Sequence, residues 1–215
     1  MTDGLLFVLS EPGRVPEDEF HEWYDTEHGP ARLRLPGVRS GRRYRAADGA
    51  SPTWLACYEL DLAVLDTPGY RALRDRRSAR ERSVLARLAV LDRRVYQLVD
   101  DHGAGGESAP SVVLCRSMSV PAHREAELHA WYREEHIPLL HRVPGWRRTR
   151  RYRLLAGGDP RFLALHELGG TAVFDSPAYR AATRTPGRDA VLRFAFDHER
   201  RLFRLHSTIQ PGSNG

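Results

Sequence analysis

Lysine is absent from this chain; all 33 of its basic residues are arginine. Against 28 acids they leave a net charge of +5, and the acids are interspersed with them along the whole length. No basic block or tail gathers the charge on one face, so a nucleic-acid partner is set aside. Cysteine is scarce as well: Cys57 and Cys115 sit in apolar, strand-like settings. That excludes a disulfide framework and suits a reducing, cytoplasmic compartment. No run of 18 apolar residues occurs, and the short apolar stretch near the start lacks a basic segment before it. It reads as a first strand, not as a signal peptide or a membrane span. Also missing are the phosphate-cradling G-x-x-x-x-G-K-[ST] and G-x-G-x-x-G loops, H-E-x-x-H, paired cysteines and a G-x-S-x-G elbow. Nucleotide-dependent, zinc and serine-hydrolase chemistry lose their usual sequence support, and no metal or cofactor is expected. The hydrophobic fraction of 41% still suffices for a packed core.

What is present is a repeat. A shift of 108 positions lays Phe20–Pro30 (FHEWYDTEHGP) on Leu128–Pro138 (LHAWYREEHIP), and Leu35–Val38 on Val143–Trp146. The same shift superimposes the two RRYR segments at Arg42–Arg45 and Arg150–Arg153, and Pro52–Leu60 on Pro160–Leu168. One residue of slippage later, Leu65–Ala72 meets Phe174–Ala181, and near the ends Arg93–Leu98 meets Arg200–Leu205. A match over nearly the whole of both halves is an internal duplication. It divides the chain into a first repeat at 1–100, a polar, glycine-rich connector at 101–110, a second repeat at 111–207 and a frayed tail at 208–215.

Each half reads the same way. An apolar strand (Leu5–Leu9; Val112–Cys115) leads to a helix opened by Pro16 or Pro121. On that helix Phe20, Trp23, Tyr24 and Glu27 share one face, as do Leu128, Trp131, Tyr132 and Glu135. Pro30 and Pro138 are expected to break it just after His28 and His136. Two strands joined by glycine-rich turns follow, then a helix capped at Asp66-Thr67-Pro68 or Asp175-Ser176-Pro177, then a last strand at Val95–Val99 or Leu202–His206. The order β-α-β-β-α-β is the split βαβ, ferredoxin-like arrangement, whose one bare sheet face must be buried. Two tandem copies can bury those faces against each other, so the expected fold class is α+β, two ferredoxin-like repeats packed sheet to sheet as a pseudo-dimer within one chain. A further homodimer is left open.

The W-Y-x-x-E-H-x-P stretch, the PG turn, the tyrosine strand and the DSPAY-type helix resemble the EthD-like branch of the dimeric α+β barrel superfamily, in both halves. The resemblance implies an intrachain barrel. It also implies a range of chemistries: cofactor-free oxygenases, isomerases, polyketide cyclases and haem-binding enzymes.

Within the repeat, His28 and His136 are candidate catalytic proton carriers, since histidine is poised for transfer near neutral pH. His166, where the first copy has Tyr58, is a third candidate and unique to the second half. Trp23, Tyr24, Tyr44, Trp131, Tyr132 and Tyr152 are candidate substrate-binding aromatics, and core packing is the competing reading for each. Glu27 and Glu135 sit beside the histidines, and Arg43, Arg45, Arg151 and Arg153 could hold a substrate carboxylate or enolate. If one half alone works, Tyr132, His136, Tyr152 and His166 favour the second. The expected function is a small-molecule enzyme moving a proton on a hydrophobic aromatic or polyketide-like substrate, as an isomerase, cyclase or cofactor-free oxygenase. The alternatives are a non-catalytic ligand-binding or stress-associated protein, or a haem-binding enzyme of the same superfamily.

Overall fold

The computed structural model describes residues 2–104 and 109–211. It divides into unit 1, Met1–Leu98 with Leu155–Gly157 and Leu205–Gly215, and unit 2, Val99–Leu154 with Gly158–Arg204.

Unit 1 begins with β1 (Asp3–Glu11), whose continuous apolar run is buried on both faces, as suits a central strand. Helix α1 (Glu17–Trp23) starts on three acids that complement its dipole and buries Phe20 and Trp23. It passes through one π-helical turn (Tyr24–His28) into α2 (Gly29–Leu33). Strands β2 (Val38–Ala46) and β3 (Trp54–Asp61), helices α3 (Pro68–Asp75) and α4 (Ala79–Arg87), and β4 (Val90–Gly103) as far as Leu98 complete the set. β1 lies antiparallel between β3 and β4, with β2 outside β3.

Unit 2 repeats this with β5 (Val112–Ser119), α5 (Glu125–Trp131), a π turn (Tyr132–His136), α6 (Ile137–Leu140), β6 (Trp146–Ala156), β7 (Phe162–Leu168), α7 (Pro177–Ala182), α8 (Pro186–Leu192) and β8 (Phe196–Thr208). Here β5 lies between β7 and β8, with β6 outside β7. The α+β fold closes its strands in the order β1-β3-β2-β8-β5-β7-β6-β4. Among the described residues no helix is long and apolar enough to cross a membrane.

Four expectations from the sequence need correction. First, Pro30 and Pro138 do not end their helices. An α-helical turn would drive each ring into the carbonyl four residues back. The chain instead widens by one residue: the Gly29 N–H donates to the Tyr24 carbonyl and the Ile137 N–H to Tyr132, five residues away. Second, the segment after the Thr67 and Ser176 caps is two helices, not one. Ser78 and Thr185 cap the second of them, accepting from the N–H of Glu81 at 2.9 Å and of Arg188 at 3.1 Å. Third, Asp101, His102 and Gly103 continue β4 and do not begin a connector; residues 105–108 of that connector lie outside the described residues. Fourth, Thr208 ends β8, and Ile209 is buried in the unit 1 core, its N–H donating to the Gly41 carbonyl at 2.9 Å. Residues 212–215 of the expected tail lie outside the described residues.

Candidate functional site

The π turn decides which side chain faces the sheet. In an unbroken α-helix Glu27 would follow Phe20, Trp23 and Tyr24 on the apolar face. The extra residue advances that face by one position, so His28 packs inward, its ring 4.3 Å from Trp23 and 4.9 Å from Tyr24 between centroids. In unit 2 the same turn stacks His136 on Trp131 at 4.3 Å. Glu27 and Glu135 are thereby displaced from the histidines' side. Glu27 accepts from the Ser78 hydroxyl, and Glu135 from the Thr185 hydroxyl and the Trp131 indole. Both tie the first helix to the N-terminus of the last.

Each unit has a cavity between its sheet and helices, and the two differ in size and charge. In unit 1 the cavity is about 90 Å³, bordered by Trp23, Tyr24 and His28. His28 Nδ1 is 3.0 Å from Glu81 Oε1, and Arg32 approaches the same oxygen at 3.9 Å. Burial, with Arg32, Arg43 and Arg77 adding to it, pushes His28 well below the ordinary histidine range. The neutral ring therefore donates its Nδ1 proton to Glu81. This histidine is already engaged.

In unit 2 the cavity is about 320 Å³, and His136, His166, Trp131 and Tyr132 all border it. His136 Nδ1 is buried and has no hydrogen-bond partner. Burial first, then Arg188, lowers its pKa to about 3, while a backbone hydrogen bond with Ala182 acts in the opposite direction. With that carbonyl taking the other ring N–H, the lone pair of Nδ1 is left open. His166 is held by Thr149, whose hydroxyl lies 3.0 Å from its Nδ1 and also accepts from Trp146 Nε1 at 3.1 Å. Burial, with His136 nearby, keeps His166 neutral as well.

The remaining sequence candidates lie elsewhere. Tyr44 faces Leu55 and Tyr152 faces Leu163 across their strand pairs. These are the alternate positions to Ala56 and Ala164, which pack under the helices, so both tyrosines lie on the opposite sheet face from the histidines. Tyr152 borders only a void of about 10 Å³. Arg43 is buried but committed, donating to Asp25 at 3.0 Å and contacting His21 Nδ1 at 2.8 Å over the Tyr24 ring. Arg151 repeats the pattern with Asp100, His129 and Tyr132. Arg45 and Arg153 are exposed, Arg153 pairing with Glu125 at 3.3 Å. None of the four borders the cavities that hold His28, His136 and His166.

Sequence reasoning missed the cations that do. Arg116 of β5 and Arg184, Arg188 and Arg200 border the unit 2 cavity. Arg116 and Arg188 are part-buried, and Arg184 and Arg200 are exposed. The signal was available in the alignment of the halves: Arg116 stands where the first half has Val8, opposite Ala164 as Val8 is opposite Ala56. Arg188, third after its cap, stands where the first half has Glu81. Among the described residues no group of histidine, cysteine and acids is arranged to hold a metal ion.

No family model matches the chain, and no curated protein matches it. Solved structures do. An anthrone oxidase-like protein superimposes with a TM-score of 0.70 at 14% identity, covering 99% of this chain and 94% of its own. A candidate monooxygenase from Lactobacillus acidophilus NCFM gives 0.60 at 10% identity, covering 99% and 98%. A candidate chlorite dismutase gives 0.54 at 16% identity, covering 96% of each. At these identities the likeness shows the fold alone, a ferredoxin-like α+β arrangement that this chain carries as a tandem duplication.

Proposed function

We propose that the protein is a small-molecule enzyme whose working pocket is the unit 2 cavity, where His136 takes a proton from a carbon beside a carbonyl on a hydrophobic, aromatic or polyketide-like substrate. The observation that carries this reading is the partnerless Nδ1 of His136 in a cavity of about 320 Å³, a size at the lower end of ligand pockets. Trp131 and Tyr132 supply the flat apolar wall, and His166, fixed by Thr149, is the second proton carrier. The unit 1 cavity serves as scaffold, since His28 is bound to Glu81 and the space is about 90 Å³.

A ring whose pKa is about 3 is a weak base in the empty pocket. Removing the substrate proton creates an enolate, and that negative charge beside Arg188 offsets one of the three causes, burial, Arg188 and Arg116, that depress His136. Base strength then rises as the enolate forms. The electron pair of the C–H bond moves onto the carbonyl oxygen while the proton passes to Nδ1. Return of the proton to another carbon is isomerisation, and attack of the carbanion on a second carbonyl is cyclisation. The likeness to an anthrone oxidase-like protein favours a third fate, capture of dioxygen. For anthrone itself, the ring CH₂ loses two hydrogens and gains one oxygen atom, and the second oxygen leaves as water.

Haem does not fit these residues. The open nitrogen of His136 is Nδ1, its ring is stacked face to face on Trp131, and the cavity is small for a macrocycle with its side chains. No step is assigned to it, and added haemin should give no Soret band of a ligated iron.

The test is anthrone in aerated buffer, following oxygen uptake and, in heavy water, exchange of the CH₂ protons. Loss of a general base lowers rates by about 10²–10⁴-fold, and that fall is expected for His136→Ala, with His28→Ala near wild type. Equal rates in His136→Ala and the wild-type protein would sink the assignment.

A further inference from the structure

We propose that the unit 2 cavity selects a substrate bearing a carboxylate on its aromatic ring system, the carboxylate being held between Arg116 and Arg188. This rests on the reading of that cavity as the working pocket. Four guanidinium groups border the cavity and no acidic side chain does. The Arg116 side chain forms no hydrogen bond or ion pair among the described residues, although it is part-buried on the central strand of its sheet. Arg188 has one distant ion pair, 3.8 Å from the neighbouring Asp189. Arg200 lies over the Phe174 ring, with its charge unmatched by an acid in the cavity wall. Elsewhere buried arginines in this chain are matched: Arg43 has Asp25, Arg150 has Glu167 and Arg151 has Asp100. A group of unmatched cations around an open space is a site for an anion.

The duplication supplies an internal control. At the positions equivalent to Arg116 and Arg188 the first half carries Val8 and Glu81, and there the cavity is small and its histidine is paired with the acid. One charge was gained and another reversed at positions that border the same kind of space, with the surrounding Trp, Tyr and His retained. Burial and the positive charges of Arg188 and Arg200 lower the pKa of Arg116, the mark of cations that repel one another in the empty pocket. A bound carboxylate relieves that repulsion, and its planar pair of oxygens suits the guanidinium fork. The ring it is attached to meets Trp131, Trp146 and Tyr179, which border the same cavity. An inorganic anion would satisfy the arginines and leave this aromatic wall bare.

The full chain is titrated calorimetrically with 2-naphthoate, with the isosteric 2-naphthamide and with inorganic phosphate. Naphthoate is expected to bind at least about tenfold tighter than the amide, the size of one charged hydrogen-bond pair. Arg116→Val, the residue of the other half, should abolish the preference while leaving amide binding in place. The same variant should raise the melting temperature of the empty protein and lose the naphthoate-induced gain, which distinguishes lost recognition from misfolding. His136→Gln should keep the preference, so binding is read independently of turnover. Equal affinity for naphthoate and amide in the wild-type protein, a preference that survives in Arg116→Val, or displacement of naphthoate by equimolar phosphate would each overturn the proposal. If naphthoate binds as expected while anthrone chemistry is absent, the carboxylate site stands and the assigned reaction falls.

Discussion

His28 and His136 hold the same place in two copies of one motif, yet one is bonded to a carboxylate and the other faces an arginine. The difference has a consequence for stability. In the folded protein His136 titrates at about 3, against 6.5 when unfolded. Between those values the unfolded chain binds the extra proton, so stability falls as pH drops from 6.5 toward 3 and is flat above 6.5. One such group costs about 1.4 kcal/mol per pH unit in that window. Melting temperatures of the wild-type protein and His136→Gln between pH 7.5 and 4.5 test this, and the variant should lose less on acidification. Parallel curves would mean that His136 is not held neutral. The histidines were legible because the repeat marks them twice. Arg116 was not, because in a chain with 33 arginines a single one on a strand carries no weight until Val8 is set beside it.

The β-α-β-β-α-β order could be read from apolar runs, capping residues and turns, and the caps at Thr67 and Ser176 accept from Tyr70 and Tyr179 as that pattern requires. The π turns could not, because proline after a helical face signals a break on propensity alone, and only packing on both sides holds the helix through it. Neighbouring glycine shows how local that packing is. A Cβ on Gly29 would lie 2.7 Å from Ile209 Cγ2 and 2.9 Å from the Tyr24 carbonyl. The second half has Ile137 at this position, so the repeat alone would suggest that isoleucine is tolerated. Gly29→Ile is instead expected to destabilise unit 1 by about 1–3 kcal/mol through overpacking. Pairing it with Ile209→Ala should return part of that loss, as a double-mutant cycle in urea would measure. Independent, additive effects of the two changes would contradict the contact.

The duplication also separates at the level of the whole chain, where one copy keeps a cavity of about 320 Å³ with a histidine whose Nδ1 has no partner and the other a cavity of about 90 Å³ with a histidine bound to Glu81. Cutting the chain at the repeat boundary would not yield two intact units, since unit 1 includes Leu205–Gly215. Ile209 is 6% exposed in a core that holds Tyr24 and Tyr58. Ile209→Ala should therefore cost about 2–5 kcal/mol, a loss that thermal or urea melting would register and that a frayed tail would not show. The boundary expected from the sequence fell short of this residue because polar neighbours, Gln210 and Pro211, disguise it. On a ribosome the same arrangement reverses the usual order of completion. The amino-terminal half emerges first, but Gly41 receives its partner from Ile209 only after the whole second repeat has been made. Unit 1 must wait, incomplete, through the synthesis of its own copy, and a pairing over that sequence distance is among the slowest to form.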